Sequence, residues 1–480
     1  MRQFRIIVEE PIGLESLLPD RSSGEALGAQ LVRRLRGAIE SGVFPPAARL
    51  FPSRELAKRL GVARNTVTSA LDQLVAEGYL ETRVGAGTYV TRRRTRPRER
   101  AAPAARSLPA RAQSLDALQS ELEALGTSSG PLRVGAADLT EFPLRTWQRL
   151  NRKNFAAFGT PLDYAQSSGL RALREAIARH IAQFRGVATD ADQITIVEGT
   201  QGALALIAAA LTEPGDRIAV EDPCYQLGRT VFAARGLALC PVYVDGDGLR
   251  TGSLPAHAAL AYVTPAHQFP LGGALSLSRR TELLQWAART GAYVIEDDYD
   301  SEFDAQPLPA LQSLDRDERV IYVGTFSKTL AQGLRLGYVV APPHLAETLR
   351  VARGLAGFGA SAHLQATAAD FISQGYFNRH IRRMAAIYER RRRIVVETLS
   401  NALPERFTIG PSRTGLHLAI RGPAGFDDVR AANAMQNGQR VLPLSRLCLE
   451  RTDCTGFVIG FNAGDDAAVA NAAAALAASL

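Results

Sequence analysis

The first ninety residues carry two kinds of apolar spacing, one typical of helices and one typical of strands. Apolar residues recur every three or four positions in 25–42, which predicts a helix. A second, shorter helix follows Ser53, which we expect to cap its first turn. A third helix is predicted over 63–77, and Gly78 ends it. Three short helices in succession indicate a small helical module at the N-terminus.

Two short segments after the third helix alternate between apolar and polar residues, as strands do. They cover 79–83 and 87–91, and glycines lie in and beside the intervening turn at 84–86. Helix, helix, turn, helix and hairpin together predict a winged helix-turn-helix in residues 1–91.

The chain changes character at residue 92. Residues 92–129 open on a run of arginines and continue rich in Ala, Pro and Arg, the composition of a linker without a core of its own. From 130 to 480, short apolar strands alternate with helices, which predicts an α/β domain with a mainly parallel sheet. A long Arg-rich helix around 380–399 leads into a small α+β C-terminal subdomain.

Charge is distributed unevenly between these parts. The 480-residue chain has a net charge of +8, but residues 1–114 hold 20 Lys or Arg against 11 Asp or Glu, and the remainder holds 36 against 37. A basic end on a neutral protein favours a nucleic-acid partner, although a solvated basic tail has the same composition. No apolar run is long enough to span a membrane, and the N-terminus does not resemble a signal peptide. We therefore expect a cytoplasmic protein with reduced cysteines.

The predicted third helix begins with residue types that suit duplex DNA. Arg64 and Asn65 lie near its N-terminus, where their side chains can reach phosphates and base edges in a major groove. The hairpin carries Arg83 at its base, and glycines at its turn permit close approach to a DNA backbone. These positions predict double-stranded DNA as a partner.

The same region resembles the GntR-type winged helix over residues 22–91. The matching segments are 50–57, 60–67, 74–80 and 85–90. The resemblance implies that Arg54, Arg64, Asn65 and Thr66 face DNA, together with the wing, where we select Arg83 and Gly87.

Three polar groups in the large domain follow predicted strands, where parallel sheets bind ligands. Gly199 and Thr200 open a helix whose N–H groups attract phosphate. Asp297 lies in an acidic segment at a strand end, where a carboxylate can hold a pyridine nitrogen protonated. Lys328 follows another strand, where a lysine that loses its charge can attack an aldehyde. A metal site is the alternative interpretation of the acidic segment 296–303, but no histidine accompanies it, and we predict none.

The large domain resembles the aminotransferase-like domain of MocR/GabR-type transcriptional regulators over about residues 130–480. The most specific matching segments are 263–272, 295–303, 324–328 and 334–338. The resemblance implies an aminotransferase-like fold of type I that binds pyridoxal 5'-phosphate. It further implies a homodimer, because Tyr164 would reach the phosphate of the cofactor in the partner subunit.

The resemblance also assigns roles to individual residues. Lys328 would form the Schiff base, Asp297 would pair with the pyridine nitrogen, Tyr299 would contact the phenolic oxygen and Tyr225 would stack on the ring. The phosphate would be bound by a further set of residues: Gly199, Thr200, Thr325, Ser327 and Arg335.

Recognition of an effector carboxylate usually needs an arginine near the C-terminus. Arg446 is our candidate, and Arg413 and Arg421 compete with it. The segment 458–461, where an aminotransferase could place this arginine, contains none. His267 and Gln268 also stand where aminotransferases have an Asn-Pro pair near the ring oxygen, a departure that the regulators share.

Two functions remain open. The first is a DNA-binding transcriptional regulator that senses pyridoxal phosphate, or its aldimine with a small amine or amino acid. The second is an active pyridoxal-phosphate-dependent aminotransferase that carries a DNA-binding module. The fused winged helix favours the regulator, since a housekeeping enzyme has no need of one.

Overall fold

The computed structural model describes residues 17–21, 23–83, 85–91, 130–156, 167–304, 306–357, 359–411, 415–435 and 441–480. The chain divides into two compact units, 1–107 and 108–480. The predicted linker, 92–129, lies outside the described residues, so its boundaries stay a prediction.

The N-terminal unit contains three helices and a two-stranded antiparallel hairpin. Its elements are α1 (Leu27–Glu40), α2 (Ser53–Leu60), α3 (Arg64–Ala76), β1 (Leu80–Arg83) and β2 (Gly87–Val90). Leu35, Val67 and Leu74 are fully buried between the helices. The hairpin pairs Leu80 with Val90 and Arg83 with Gly87, as expected for a wing.

The start of α2 differs from the prediction by one residue. Ser53 is the first residue of the helix, and Pro52 occupies the cap position without a side-chain hydrogen bond. Proline suits this position because its fixed φ and missing N–H cost nothing where the chain enters a helix. Gly61 ends α2 in a left-handed conformation, which glycine adopts without strain.

The large unit contains eleven helices and twelve strands among its described residues. The helices are α4 (Leu144–Ala156), α5 (Arg171–Arg185), α6 (Gly199–Leu211), α7 (Gln226–Ala234), α8 (Leu277–Thr290), α9 (Leu311–Leu314), α10 (Pro343–Leu355), α11 (Ala362–Ser373), α12 (Tyr376–Ala402), α13 (Asp428–Ala434) and α14 (Asp466–Ala478). The strands are β3 (Ile194–Val197), β4 (Arg217–Asp222), β5 (Ala238–Asp245), β6 (Gly248–Leu249), β7 (Ala258–Val263), β8 (Tyr293–Asp298), β9 (Val320–Thr325), β10 (Gly337–Val340), β11 (Thr408–Ile409), β12 (His417–Arg421), β13 (Leu442–Pro443) and β14 (Gly456–Gly460).

Eight of these strands form one sheet, in the order β3-β10-β9-β8-β7-β4-β5-β6. Strands β5, β4, β7, β8 and β9 are parallel neighbours, whereas β10 runs antiparallel to both β3 and β9. Strands β3, β7 and β9 are buried along almost their whole length, which explains their continuous apolar sequences. The predicted mainly parallel α/β sheet is confirmed.

The C-terminal subdomain is a four-stranded antiparallel sheet in the order β11-β12-β14-β13. The Arg-rich helix predicted around 380–399 is α12, which begins and ends a few residues further out. Its buried stripe packs against α14 and the main core, while its arginines lie largely on the solvent side. Among the described residues, no helix combines the length and apolar character needed to cross a bilayer.

Candidate cofactor site and DNA-facing surface

A cavity of about 550 Å³ lies at the carboxyl ends of the parallel strands, between the large sheet and the C-terminal subdomain. Parallel sheets bind ligands at this edge because their strand-to-helix turns converge there. Eight of the residues predicted for the cofactor site line this cavity together: Thr200, Tyr225, Asp297, Tyr299, Thr325, Ser327, Lys328 and Arg335.

Lys328 reaches the cavity from the turn that follows β9. Its Nζ donates a hydrogen bond to the carbonyl oxygen of Gly135 at 2.6 Å. Gly135 has a φ of +75°, which favours glycine, and a Cβ there would lie 2.6 Å from that Nζ, so the lysine side chain would have to move. Burial lowers the pKa of Lys328 to about 8, although the carboxylates of Asp300 and Asp297 oppose the shift. The amine is therefore partly neutral near physiological pH.

Asp297 lies near the end of β8 and is 4% exposed. Its Oδ2 accepts a hydrogen bond from the Tyr262 hydroxyl at 2.7 Å. Its Oδ1 is buried and has no hydrogen-bond partner among the described residues. Burial raises the pKa of Asp297 to about 7, while the Tyr262 hydrogen bond acts in the opposite direction. A buried carboxylate oxygen without a partner is costly, and a protonated ring nitrogen would satisfy it.

Two tyrosines lie beside these groups. Tyr299 donates its hydroxyl hydrogen to the carbonyl oxygen of His267 at 2.8 Å, which fixes its ring at the cavity wall. Tyr225 precedes α7 and meets the ring of Phe269 edge-to-face at 6.1 Å. Burial raises the pKa of both phenols, so each stays protonated at neutral pH.

The predicted phosphate-binding residues converge at the N-terminus of α6. A Cβ on Gly199 would lie 3.8 Å from both the Ser327 Oγ and an Arg335 guanidinium nitrogen. Arg335 also donates to the carbonyl oxygen of Glu198 at 3.0 Å, which holds its side chain beside the helix terminus. Free backbone N–H groups and a guanidinium at one helix N-terminus make a site for an anion such as phosphate.

The described lining of the cavity contains none of the arginines that were candidates for binding an effector carboxylate. Tyr164 and Arg413 lie outside the described residues. The Arg446 side chain is exposed and does not line the cavity. Arg421 lines a separate cleft of about 580 Å³, together with Arg250 and Arg451.

Three contributors to the site were missed by sequence reasoning. Gly135 lies 193 residues before the lysine that it contacts. Tyr262 is part of an apolar strand, where an aromatic residue normally indicates only core. His417, at the start of β12, also lines the cavity. None of these positions carries a local signal, because each acts through a contact made by folding.

Asp300, from the acidic segment, meets two histidines that are distant in sequence. Ligating atoms of His267, Asp300 and His417 lie within 4.8 Å of one another. The Asp300 Oδ2 already accepts two hydrogen bonds, one from the His267 Nδ1 at 2.9 Å and one from the Leu416 N–H at 3.2 Å. The absence of a metal stays a prediction.

The N-terminal unit exposes most of the residues predicted to face DNA. Arg54, Arg64 and Asn65 are exposed at the starts of α2 and α3. Thr66 is half-buried, with its methyl group directed towards Gly28 on α1. It therefore contributes to packing as well as to the surface.

The wing holds its arginine in place. Arg83 pairs with Glu81 at 2.5 Å and lies over the Tyr89 ring at 4.7 Å. Gly87 has a φ of +112°, and a Cβ there would touch the guanidinium of Arg49 at 3.0 Å. Arg49 is exposed and was missed by sequence reasoning, because it lies in the connection between α1 and α2, outside the motif's helices.

The pKa of Lys328 predicts how cofactor-free protein takes up an aldehyde. Only the neutral amine attacks, so the rate of pyridoxal phosphate incorporation into cofactor-free protein should rise with pH and level off above about pH 8. Stopped-flow absorbance across pH 6–10.5, with Nα-acetyl-lysine as the unburied control amine, measures this. A protein rate that keeps rising to pH 10 in parallel with the control would contradict the lowered pKa.

Comparisons with known proteins match both units. Residues 27–90 match the family described as bacterial regulatory proteins, gntR family, and residues 129–476 match aminotransferase class I and II. The crystal structure of a multiple substrate aminotransferase from Thermococcus profundus has a TM-score of 0.70 and 26% identity, covering 78% of this chain and 96% of that one.

Full-length relatives share the same arrangement. The probable rhizopine catabolism regulatory protein MocR of Rhizobium meliloti is 36% identical, over 93% of this chain and 92% of its own. The HTH-type pyridoxine biosynthesis transcriptional regulator PdxR of Corynebacterium glutamicum is 32% identical, over 92% and 93%. The chain therefore belongs to the MocR-type family of gntR regulators, DNA-binding transcriptional regulators in which a winged helix is joined to a domain of aminotransferase fold.

Proposed function

We propose that the large unit holds pyridoxal 5'-phosphate at Lys328 and uses it to sense a small primary amine or amino acid, which changes the DNA affinity of the winged helix. One observation carries this proposal: a partly neutral lysine and a buried carboxylate oxygen without a partner face the same cavity. Pyridoxal phosphate offers an aldehyde to the first and a ring nitrogen to the second.

Each group of the cofactor has a suitable neighbour. The Asp297 Oδ1 would accept from the ring nitrogen, the Tyr299 hydroxyl would contact the phenolic oxygen, and Tyr225 would cover the ring. The phosphate would lie at the α6 N-terminus on Gly199, Thr200, Thr325, Ser327 and Arg335. The bound group supplies an aldehyde carbon that forms a C=N bond with an amine.

Exchange at that carbon suits a sensor. With the cofactor bound, an effector amine would replace the Lys328 nitrogen at that carbon, and the hydrogen lost by the incoming nitrogen would pass to Lys328, which would leave as a free amine. The Gly135 carbonyl oxygen, which accepts from the free Nζ, then provides a place for the released lysine. Effector binding would thus alter contacts between the strand ends and the segment that begins near residue 130.

An active aminotransferase is the second candidate. The residues that support it are Lys328 and Asp297, because a free lysine beside a carboxylate-paired ring is what proton transfer at the substrate requires. The full-length relatives are named as regulators, which favours sensing of an amine over catalytic turnover. A homodimer would complete the site with Tyr164 and would present two winged helices to two DNA half-sites.

The chain offers a clean test of the cofactor, because it contains only three lysines: Lys58, Lys153 and Lys328. Borohydride reduction of full-length protein loaded with pyridoxal phosphate should place the pyridoxyl group on the peptide with Lys328. Mass spectrometry after digestion measures this. Lys153, exposed and paired with Asp370, is the matched control and should stay unmodified. Label spread equally over the three lysines, or found only on Lys153, would refute a cofactor site at Lys328.

Arg64→Ala tests the DNA-facing surface. Loss of one contact to phosphate or base should weaken binding by about 1–3 kcal/mol and lower the salt dependence by about one counterion. Fluorescence anisotropy at several salt concentrations, with a duplex selected by the full chain from random sequences, measures both. Arg33→Ala removes the same charge from α1, where Glu25 holds the guanidinium, and should change neither. If the two variants weaken DNA binding equally, Arg64 contributes only its positive charge and makes no specific contact with DNA.

A further inference from the structure

The cavity has a polar end and an apolar wall. Its polar end is the N-terminus of α6 with Ser327 and Arg335. The apolar wall consists of Val134, Phe269, Leu442 and Leu447, which all line the cavity and pack in one cluster. We call this set the apolar wall. Methylene groups of a ligand would lose water on contact with it, which favours binding of an aliphatic chain.

His417, at the start of β12, also lines the cavity. The side chain is 2% exposed and contacts the rings of His267 and Phe269, with centroids 4.6 and 5.0 Å away. One ring nitrogen donates to the carbonyl of Pro270, so the other, Nε2, is an acceptor. Nε2 is buried and has no hydrogen-bond partner among the described residues. Such an atom is stabilised by a ligand that brings a donor.

Burial also holds His417 neutral. Its pKa lies well below the usual value for histidine, because the ring is buried and because His267 and Lys328 lie nearby. A neutral acceptor prefers an O–H or N–H group to a carboxylate, which has no hydrogen to donate at neutral pH.

The two cationic side chains among the described lining residues are Lys328 and Arg335, and each already has a role in the proposed function. Arg335 is held at the α6 terminus by the Glu198 carbonyl. Lys328 supplies the reacting nitrogen. An effector carboxylate at the apolar wall would thus be buried without a cation from this set, which is unfavourable.

We propose that the effector is a primary amine whose aliphatic chain ends in a hydroxyl group, and that this hydroxyl donates to the His417 Nε2. The inference rests on the proposed function, since the amine end must exchange with Lys328 at the cofactor. It makes His417 the residue that selects an amino alcohol over an amino acid. The methylene groups between the two ends lie along the apolar wall.

The test compares three series of probes on full-length protein loaded with pyridoxal phosphate. They are linear amino alcohols of two to five carbons, n-alkylamines of matched length, and ω-amino acids of matched length. Absorbance of the bound cofactor yields a dissociation constant for each. One chain length of amino alcohol should bind about 10-fold more tightly than its alkylamine, the effect of one buried neutral hydrogen bond, and more tightly again than its amino acid.

His417→Leu should remove the preference for the hydroxyl, so that alcohol and alkylamine bind alike. His417→Gln, which keeps an acceptor, should restore part of the preference. His344→Leu is the matched control, because His344 is exposed and pairs with Glu318 away from the cavity. It should behave as the wild-type protein does.

Different failures are distinguishable. A chain that binds no pyridoxal phosphate overturns the proposed function, and this inference with it. A loaded chain that prefers ω-amino acids to amino alcohols of matched length overturns the inference alone. A His417→Leu variant that loses cofactor affinity before any amine is added shows that the His417 partner is the cofactor, which also overturns it.

Discussion

The burial of an amine and a carboxyl group in one cavity is the constraint on which the rest of this site depends. Removal from water shifts the pKa of Lys328 down to about 8 and that of Asp297 up to about 7, so both groups approach neutrality. Neither group would be stable there with every polar atom unsatisfied. The Lys328 amine donates a hydrogen bond to the Gly135 carbonyl oxygen, and the Tyr262 hydroxyl donates one to the Asp297 Oδ2. The Asp297 Oδ1 has no partner among the described residues and is left for a ligand.

A second set of buried charges holds these groups in position. Asp298, next to Asp297 in β8, accepts from Arg185 at 2.6 Å and from the Tyr322 hydroxyl at 2.8 Å. Glu296, on the other side, accepts two backbone N–H groups at the start of α9. These contacts tie β8 to neighbouring elements on both sides of Asp297. Contacts within the protein therefore hold the strand end in position without a ligand, as a preorganised binding site requires.

Two groups of hydrogen bonds connect the C-terminal subdomain to the same edge of the large sheet. The buried Asp222 carboxylate accepts the N–H groups of residues 449, 450 and 451 at 2.8–3.0 Å. Arg229 donates to the carbonyl oxygens of residues 446, 447 and 448. This clamp places Leu447 against the cavity. It also explains why Arg446 points to solvent: its backbone is part of the clamp, and its neighbour occupies the inward position.

Local patterns in the sequence predicted much of this architecture. Glycines at helix ends, apolar strands and the residues that follow them are short-range features, and they were sufficient for the winged helix, the parallel sheet and the positions of Asp297 and Lys328. Side-chain direction could not be predicted in the same way, as Arg446 and the half-buried Thr66 show. Contacts between distant segments, such as Gly135 with Lys328 and His417 with His267, depend on tertiary packing. The shift of the α2 start to Ser53 reflects the ordinary uncertainty of a helix end.

The central claim is that the state of the amine at the cofactor controls DNA affinity, and direct coupling between the two is the measurement that tests it. Full-length protein loaded with pyridoxal phosphate is titrated with the primary amine that alters its absorbance most, and duplex affinity is measured along the same titration. The account predicts a change in the dissociation constant for DNA of roughly 5–150-fold, complete at the amine concentration that completes the spectral change. A spectral change that runs to completion while DNA affinity stays constant would contradict it.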